Sequence, residues 1–275
     1  MEERIDGTFL RHRIEDDKVG SYDLMQPIRE RLEVLVKEEL ESLPVIEAKA
    51  RDATKNAKGG FTKSLSTSRR FIGVARYALE GEAQALISGL KNSGKLELEL
   101  VRRFEKGDPI SASYVSMILY QSLFSVLASG DLTLSKEFAS AMGGRDAIER
   151  KHDNPFTYAM GYTLKYFVLL DTKEMKVWSK KLSDLCAQKD NKDFIGYADA
   201  FEAILQKDSK ALNKAFEKLL QGHRNQSKGN GLFAVSEDEL LCVWGVGLAN
   251  LAVYHGLEVL VKDPLFPRDL VRGLE

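Results

Sequence analysis

From Leu240 to Tyr254 the chain reads LLCVWGVGLANLAVY, a run without a single charge. It is too short for the roughly 20 residues that span a bilayer, and Gly245, Gly247 and Asn250 interrupt it. We read it as one long buried helix, since a helix apolar on all sides must be covered on all sides. Ser236 followed by Glu237, Asp238 and Glu239 predicts an N-cap with acids at the positive helix end. Gly256 stops the helix. Leu257 to Val261 is the one segment that reads as a strand, and it is short.

The rest of the chain has to supply the cover, and its periodicity is helical throughout. Pro27 can open a helix, and Ile28, Leu32, Leu35, Val36 and Leu40 follow at helical spacing. Pro44 interrupts or kinks that helix before the Lys58-Gly59-Gly60 break. Phe61 to Leu90 follows, in one or two pieces, and then a shorter helix from Leu96 to Phe104. After the Gly107-Asp108-Pro109 turn, Ser111 or Ser113 can cap a helix over Tyr114 to Ala128. A further helix ends at Gly143-Gly144. Beyond Asn154-Pro155 come Phe156 to Leu170, Glu174 to Ala187, Phe194 to Leu205 and Ser209 to His223. The predicted fold is all-α, built of stacked antiparallel helical hairpins. Residues 1–25 are polar and form an arm. Residues 26–275 form one helical domain with a soft boundary near 144–154.

Phe124 and Asp131 are spaced like Phe201 and Asp208, and the apolar positions after each Asp also correspond. Each copy is a helix, a turn carrying Asp, and a second helix. Such hairpins bury their faces by stacking, which gives a tetratricopeptide-like character.

A formal net charge of −1 excludes an electrostatic nucleic-acid binder. The N-terminus MEERIDGTFLRHRIEDDK has no apolar segment of a signal or anchor, so a cytoplasmic protein is expected, with no membrane partner. Cys186 and Cys242 are far apart and sit in apolar helical patterns, which predicts buried free thiols.

Chemical motifs are fragmentary. Gly89 to Lys95 matches GxxxxGK, but Leu96 stands where a phosphate loop needs Ser or Thr, so a turn between helices is expected. Glu149 and His152 form a lone ExxH, read as a surface helix end. Ser88 and Lys91 fit SxxK without its partner motifs. His12 shows no ligand spacing, and neither does His223 or His255. The last two sit at helix C-termini, where a cation is favoured. Arg69-Arg70 and Lys180-Lys181 read as solvated faces. The aromatics, Tyr158, Tyr162, Tyr166 and Trp178 among them, are spaced for core packing, with a ligand cage as the alternative. No catalytic site, metal or cofactor is expected.

The C-terminal third carries a more specific pattern. Phe201-Glu-Ala-Ile-Leu205 precedes the Asp208-led helix, which holds Ala215-Phe216 and Leu219-Leu220 and closes at His223. After the apolar helix Leu240 to Ala252, the run from Gly256 to Pro267 reads Gly-Leu-x-Val-x-Val-x-Asp-Pro-x-x-Pro. This resembles the immunity protein 49 family of bacterial polymorphic-toxin systems, over about 195–270 and more loosely over 70–190. The resemblance implies an all-helical, non-enzymatic protein that binds a cognate secreted toxin domain, such as a nuclease, and protects the producing cell. Its motif residues are structural and do not mark the toxin-binding surface.

For that surface the polar loop Asn225 to Phe233 is the first candidate. Phe233 would be an apolar anchor beside Glu237, Asp238 and Glu239, acids suited to a basic nuclease. Glu15, Asp16 and Asp17 in the N-terminal arm come second. A plainer use is also open: the first three acids serve the helix dipole and Phe233 staples the loop. Two other functions fit the same sequence, a tetratricopeptide-like adaptor for peptides or proteins and a small-molecule-responsive regulator.

Overall fold

The computed structural model describes residues 28–275. The arm expected over 1–25, with Glu15, Asp16 and Asp17, lies outside the described residues, as does His12. The described chain is all-α, with α1 at Ile28–Arg51, α2 at Gly60–Glu80, α3 at Ala83–Glu105, α4 at Tyr120–Ala128 and α5 at Leu132–Ala141. There follow α6 at Asp146–His152, α7 at Pro155–Leu169, α8 at Thr172–Cys186, α9 at Ile195–Gln206, α10 at Ser209–Gln226 and α11 at Val243–Tyr254. Consecutive helices pack on one another from α1 to α3, and again from α7 to α10, while α11 lies against α4 and α10.

α11 is the uncharged run, and its details explain the residues that interrupt it. Val243 to Ala252 are all buried. A Cβ on Gly247 would lie 2.3 Å from the Phe124 carbonyl oxygen, so glycine lets α11 and α4 touch backbone to backbone. Asn250 is fully buried and fully used. Its amide donates to the carbonyl of Leu127 at 3.0 Å, and its oxygen accepts from the N–H groups of Arg272 and Gly273 at 2.9 and 3.1 Å. One polar side chain thereby ties the end of α4 to the C-terminal segment.

Three hairpin turns share one construction. Gly130, Leu170 and Lys207 each adopt positive φ, at 79, 60 and 55°. Each is followed by an aspartate, Asp131, Asp171 or Asp208, whose carboxylate caps the next helix. The repeat seen in the sequence thus has a third member at α7–α8, where Leu164 stands in the place of Phe124 and Phe201. Asp208→Ala removes acceptors for the N–H groups of both Lys210 and Ala211. It is expected to cost about 1 kcal/mol in urea unfolding.

Several boundaries differ from the sequence reading. α1 runs through Pro44. The segment Gly89 to Lys95 is no turn but the middle of α3, which also absorbs the separate helix expected at Leu96. Gly89 is there for packing: its Cβ would meet Gly73 Cα at 2.9 Å and the Arg69 carbonyl oxygen at 2.6 Å. Between Ala112 and Leu119 two 3-10 turns replace the first half of the expected helix. Ser236 caps no α-helix; it precedes a 3-10 turn, Glu237–Glu239, and its hydroxyl donates to the Phe233 carbonyl. Leu257 to Val261 is unbent but pairs with no strand. Instead the N–H groups of Glu258 and Leu260 bond the side chains of Ser209 and Asn213 on α10, at 3.3 and 2.6 Å.

The main core runs continuously across 144–154, from Val74 on α2 to Leu270. Its aromatic centre is Trp244, stacked on Phe124 at 5.4 Å and edge-on to Tyr120 and Phe233 at 5.2 and 5.0 Å. A smaller cluster, Leu32, Val36, Phe71 and Ala75, joins α1 to α2.

Candidate functional site

The loop expected to meet a partner keeps Asn225, Lys228, Gly229 and Asn230 exposed, but its expected anchor is folded inward. Phe233 is 3% exposed and stacks on His223 at 4.4 Å between ring centres. It is a staple and not an exposed anchor, because α10 and Trp244 give it a larger apolar contact than solvent would. The three acids are equally engaged. Glu237 pairs with Nη1 of Arg70, and both carboxylate oxygens of Asp238 accept from Nη2 of the same guanidinium group, at 2.7 and 2.8 Å. Glu239 faces Arg31 at 3.6 Å and accepts the Val235 N–H. The structure does bring Phe233, Glu237, Asp238 and Glu239 together, but as a clamp that fastens the loop to α1 and α2.

The electrostatics of the clamp follow from burial. Burial works against the charge of Arg70, but Asp238 and Glu237 outweigh it and raise its pKa. Burial pushes the Glu237 carboxyl up to about 7, against the pull of Arg70. His223 is not the helix-end cation expected: burial lowers its pKa, and its Nε2 sits 2.7 Å from the Asp238 carbonyl oxygen. His255 is lowered in the same way, beside the Phe167 carbonyl. Arg70, read as solvated, is a largely covered side chain at 19% exposure.

Other motif residues are also structural. Glu149 of the ExxH is 1% exposed, while His152 is exposed. The Glu149 carboxylate turns back on its own helix start, accepting the Arg145 N–H at 2.7 Å and the Tyr162 hydroxyl at 2.9 Å. Cys186 and Cys242 are free and buried, and burial pushes both thiols up to about 12. Among the described residues no group of His, Cys, Asp and Glu is arranged to hold a metal ion, and no helix is long and apolar enough to cross a membrane.

A second aromatic group lies where α7 and α8 meet, at the margin of the core, with Tyr162 and Trp178 buried at 7 and 9%. On α7, Tyr158, Tyr162 and Tyr166 recur every four residues and so lie along one side of the helix. Trp178 of α8 stacks on Tyr162 at 4.6 Å and meets Tyr158 edge-on at 5.4 Å. Tyr162 stacks in turn on Tyr166 at 6.0 Å. Tyr158 and Tyr166 remain half-buried at the edge of this ladder. The polar ends are fixed, with Trp178 Nε1 donating to Glu174 at 3.1 Å and the Tyr162 hydroxyl held by Glu149. Lysines frame the rings. Lys181 Nζ lies 3.8 Å from the centre of the Trp178 ring, and Lys165 lies 6.0 Å from Tyr162.

Around the ladder, Leu170 and Val177 are exposed at 48 and 41%. The outer side of α8 adds Lys173, Lys176 and Lys180, of which Lys180 pairs with Asp184 at 2.5 Å. The outward surface here is therefore aliphatic and cationic over mostly covered rings, a character that suits contact with an acidic protein surface. The i, i+4, i+8 spacing of the tyrosines was the available signal. How far each ring is covered depends on how α8 packs on α7, which spacing alone does not fix.

A recess of about 750 Å³ runs between α10 and the segment Leu260–Asp263, with Lys210, Asn213 and Glu217 on one side. Arg224 closes its end by pairing with Asp263 at 2.5 Å. No family model, curated protein or solved structure matches the chain.

Proposed function

We propose that the protein works by capturing another protein, as an immunity protein that neutralises a cognate toxin domain without catalysis of its own. The resemblance over about 195–270 supports the class of function. The observation that carries the binding reading is the α7–α8 turn and the outer side of α8, where Leu170 and Val177 are exposed together with Lys173, Lys176 and Lys180. The toxin would present an acidic surface to it. An acidic site for a basic toxin is not proposed, because Glu237, Asp238 and Glu239 are engaged inside the protein.

A second reading, a tetratricopeptide-like adaptor, is favoured by the thrice-repeated turn of a positive-φ residue and a capping aspartate. One experiment separates the two. Candidate domains from reading frames adjacent to that of this chain are expressed one at a time in a host with and without the protein, and growth is followed. Immunity predicts rescue together with a stoichiometric complex; an adaptor leaves the host unprotected.

The docking face is tested with Leu170→Asp/Val177→Asp and, separately, Lys173→Glu/Lys176→Glu/Lys180→Glu. All five positions are solvent-exposed, so circular dichroism and thermal unfolding should change little. The first variant is expected to weaken toxin binding at least tenfold, and the second chiefly to slow association and reduce its salt dependence. Wild-type affinity and kinetics in both variants would remove this face from consideration.

A further inference from the structure

The segment that reads as a strand in the sequence has one edge in use and one edge open. It follows α11 and runs along α10, with Leu257 and Val259 buried, Val261 half-buried, and Glu258, Leu260 and Lys262 exposed. That alternation is the two-residue period of an extended chain, whose main-chain groups point to opposite edges in turn. Toward α10, the N–H groups of Glu258 and Leu260 donate to the side chains of Ser209 and Asn213, and the Glu258 carbonyl accepts from Asn213 at 3.1 Å. On the other edge, the N–H and C=O groups of Val259 and Val261 make no hydrogen bond among the described residues. Main-chain groups left unpaired within a protein face water as a rule, and a row of them is a template for another strand. The row is short. Asp263 turns back to bridge Phe266, and Pro264 has no N–H to offer.

We propose that this edge takes the same edge of a second copy, antiparallel about a twofold axis at Leu260. Val259 of each copy then lies opposite Val261 of the other, and each such pair exchanges two main-chain hydrogen bonds. On the outer face Leu260, exposed at 49%, meets its own copy. Glu258 of each copy meets Lys262 of the other, and neither side chain has a partner within its own chain among the described residues. Any extended peptide can take the hydrogen bonds. What selects a second copy is the order acid, leucine, base at alternate positions, which reversed is its own complement, as a contact that uses every residue twice requires. A slip of two residues either way would set Leu260 against Lys262 or Glu258, so the charges also fix the register. Five residues from each copy make a contact well below the about 800 Å² per partner of a stable interface. The dimer is therefore reversible, forming at protein concentrations on the order of 100 μM.

The test is sedimentation equilibrium on the full chain, where wild type should show a monomer–dimer equilibrium. Glu258→Lys and Lys262→Glu each place like charges opposite one another twice and should weaken self-association at least tenfold. An equal mixture of the two should form a dimer of unlike chains, and both changes in one chain should restore self-association. Val261→Pro deletes a donor that the monomer does not use. It should abolish the dimer while circular dichroism stays that of wild type. The register has its own check. Leu260→Cys should cross-link to itself under mild oxidation, since facing residues at such a position lie about 4.5 Å apart between Cα atoms. Glu258→Cys should not, because its two copies would lie about 14 Å apart. The native cysteines are buried. A wild type that stays monomeric up to its solubility limit overturns the proposal; it is the outcome expected if a strand of a different protein takes this edge. Association that ignores the charge changes and Val261→Pro also overturns it, as does Glu258→Cys cross-linking as readily as Leu260→Cys.

Discussion

Arg70→Ala is expected to lower the unfolding free energy by about 3–5 kcal/mol, the range for removing one partner of a buried ion pair. The guanidinium serves two carboxylates at once, Glu237 and Asp238, and also donates to Ser125 at 3.2 Å. Without it, two like charges remain together under cover, with the 3-10 turn between them and α2 held by nothing of opposite sign. Arg70→Lys should rescue only part of the loss, because one ammonium cannot reproduce the fork. The loss should depend on pH, and its sign follows from Glu237. That carboxyl is raised in the folded state from 4.5 to about 7. Its contribution to stability is therefore full below about 4.5 and lost as pH rises through about 7. Removing Arg70 takes away the influence that lowers it, so the window shifts upward. The deficit of Arg70→Ala relative to wild type should then be largest near pH 9 and smallest near pH 5. Urea unfolding followed by circular dichroism at both values measures it. A loss below about 1 kcal/mol at both would show that water, not the guanidinium, balances these acids.

The sequence held some of these features openly and others not at all. The burial of α11 was legible because fifteen uncharged residues admit few other fates. The turns at Asp131 and Asp208 were legible because an aspartate before a helical period has a local cause, the cap. The third turn, at Asp171, was missed as a repeat because leucine replaces the phenylalanine, although the backbone geometry is the same. The continuity of α3 was hidden by Gly89 and Gly94, which look like breakers in isolation. What keeps Gly89 helical is Gly73 on the neighbouring helix, so its reason lies in tertiary contact. The clamp was invisible for the same cause. Arg70 and Glu237 stand 167 residues apart, and no local pattern distinguishes an acid that meets an arginine from one that meets a helix dipole. Phe233 was judged by its polar neighbours in sequence, whereas its neighbours in space are His223 and Trp244.

Gly222→Ala and Gly196→Ala are expected to be among the most destabilising single-methyl changes in the protein, at about 3 kcal/mol each. In a helix interior the same change normally gains up to about 1 kcal/mol, because alanine has less backbone freedom to lose. The sign here is decided by what the methyl group would meet. At Gly222 on α10 it would lie 1.8 Å from the carbonyl oxygen of Asp193, in the turn that leads into α9. At Gly196 on α9 it would lie 2.2 and 2.5 Å from the backbone N and Cα of Leu219. These are backbone atoms, so no rotamer change relieves the overlap, and α9 and α10 would have to separate by about an ångström. That separation would loosen Phe216 and Leu219 from the core and shift Asp193, which accepts from Asn225 and Gln226 at 2.8 Å. Gly60→Ala is the matched control: nothing lies within 4 Å of its Cβ, and it should leave the melting temperature unchanged or slightly raised. If all three variants melt alike, the close approach of α9 and α10 does not limit stability. The glycines of the C-terminal third would then owe their places to something other than packing.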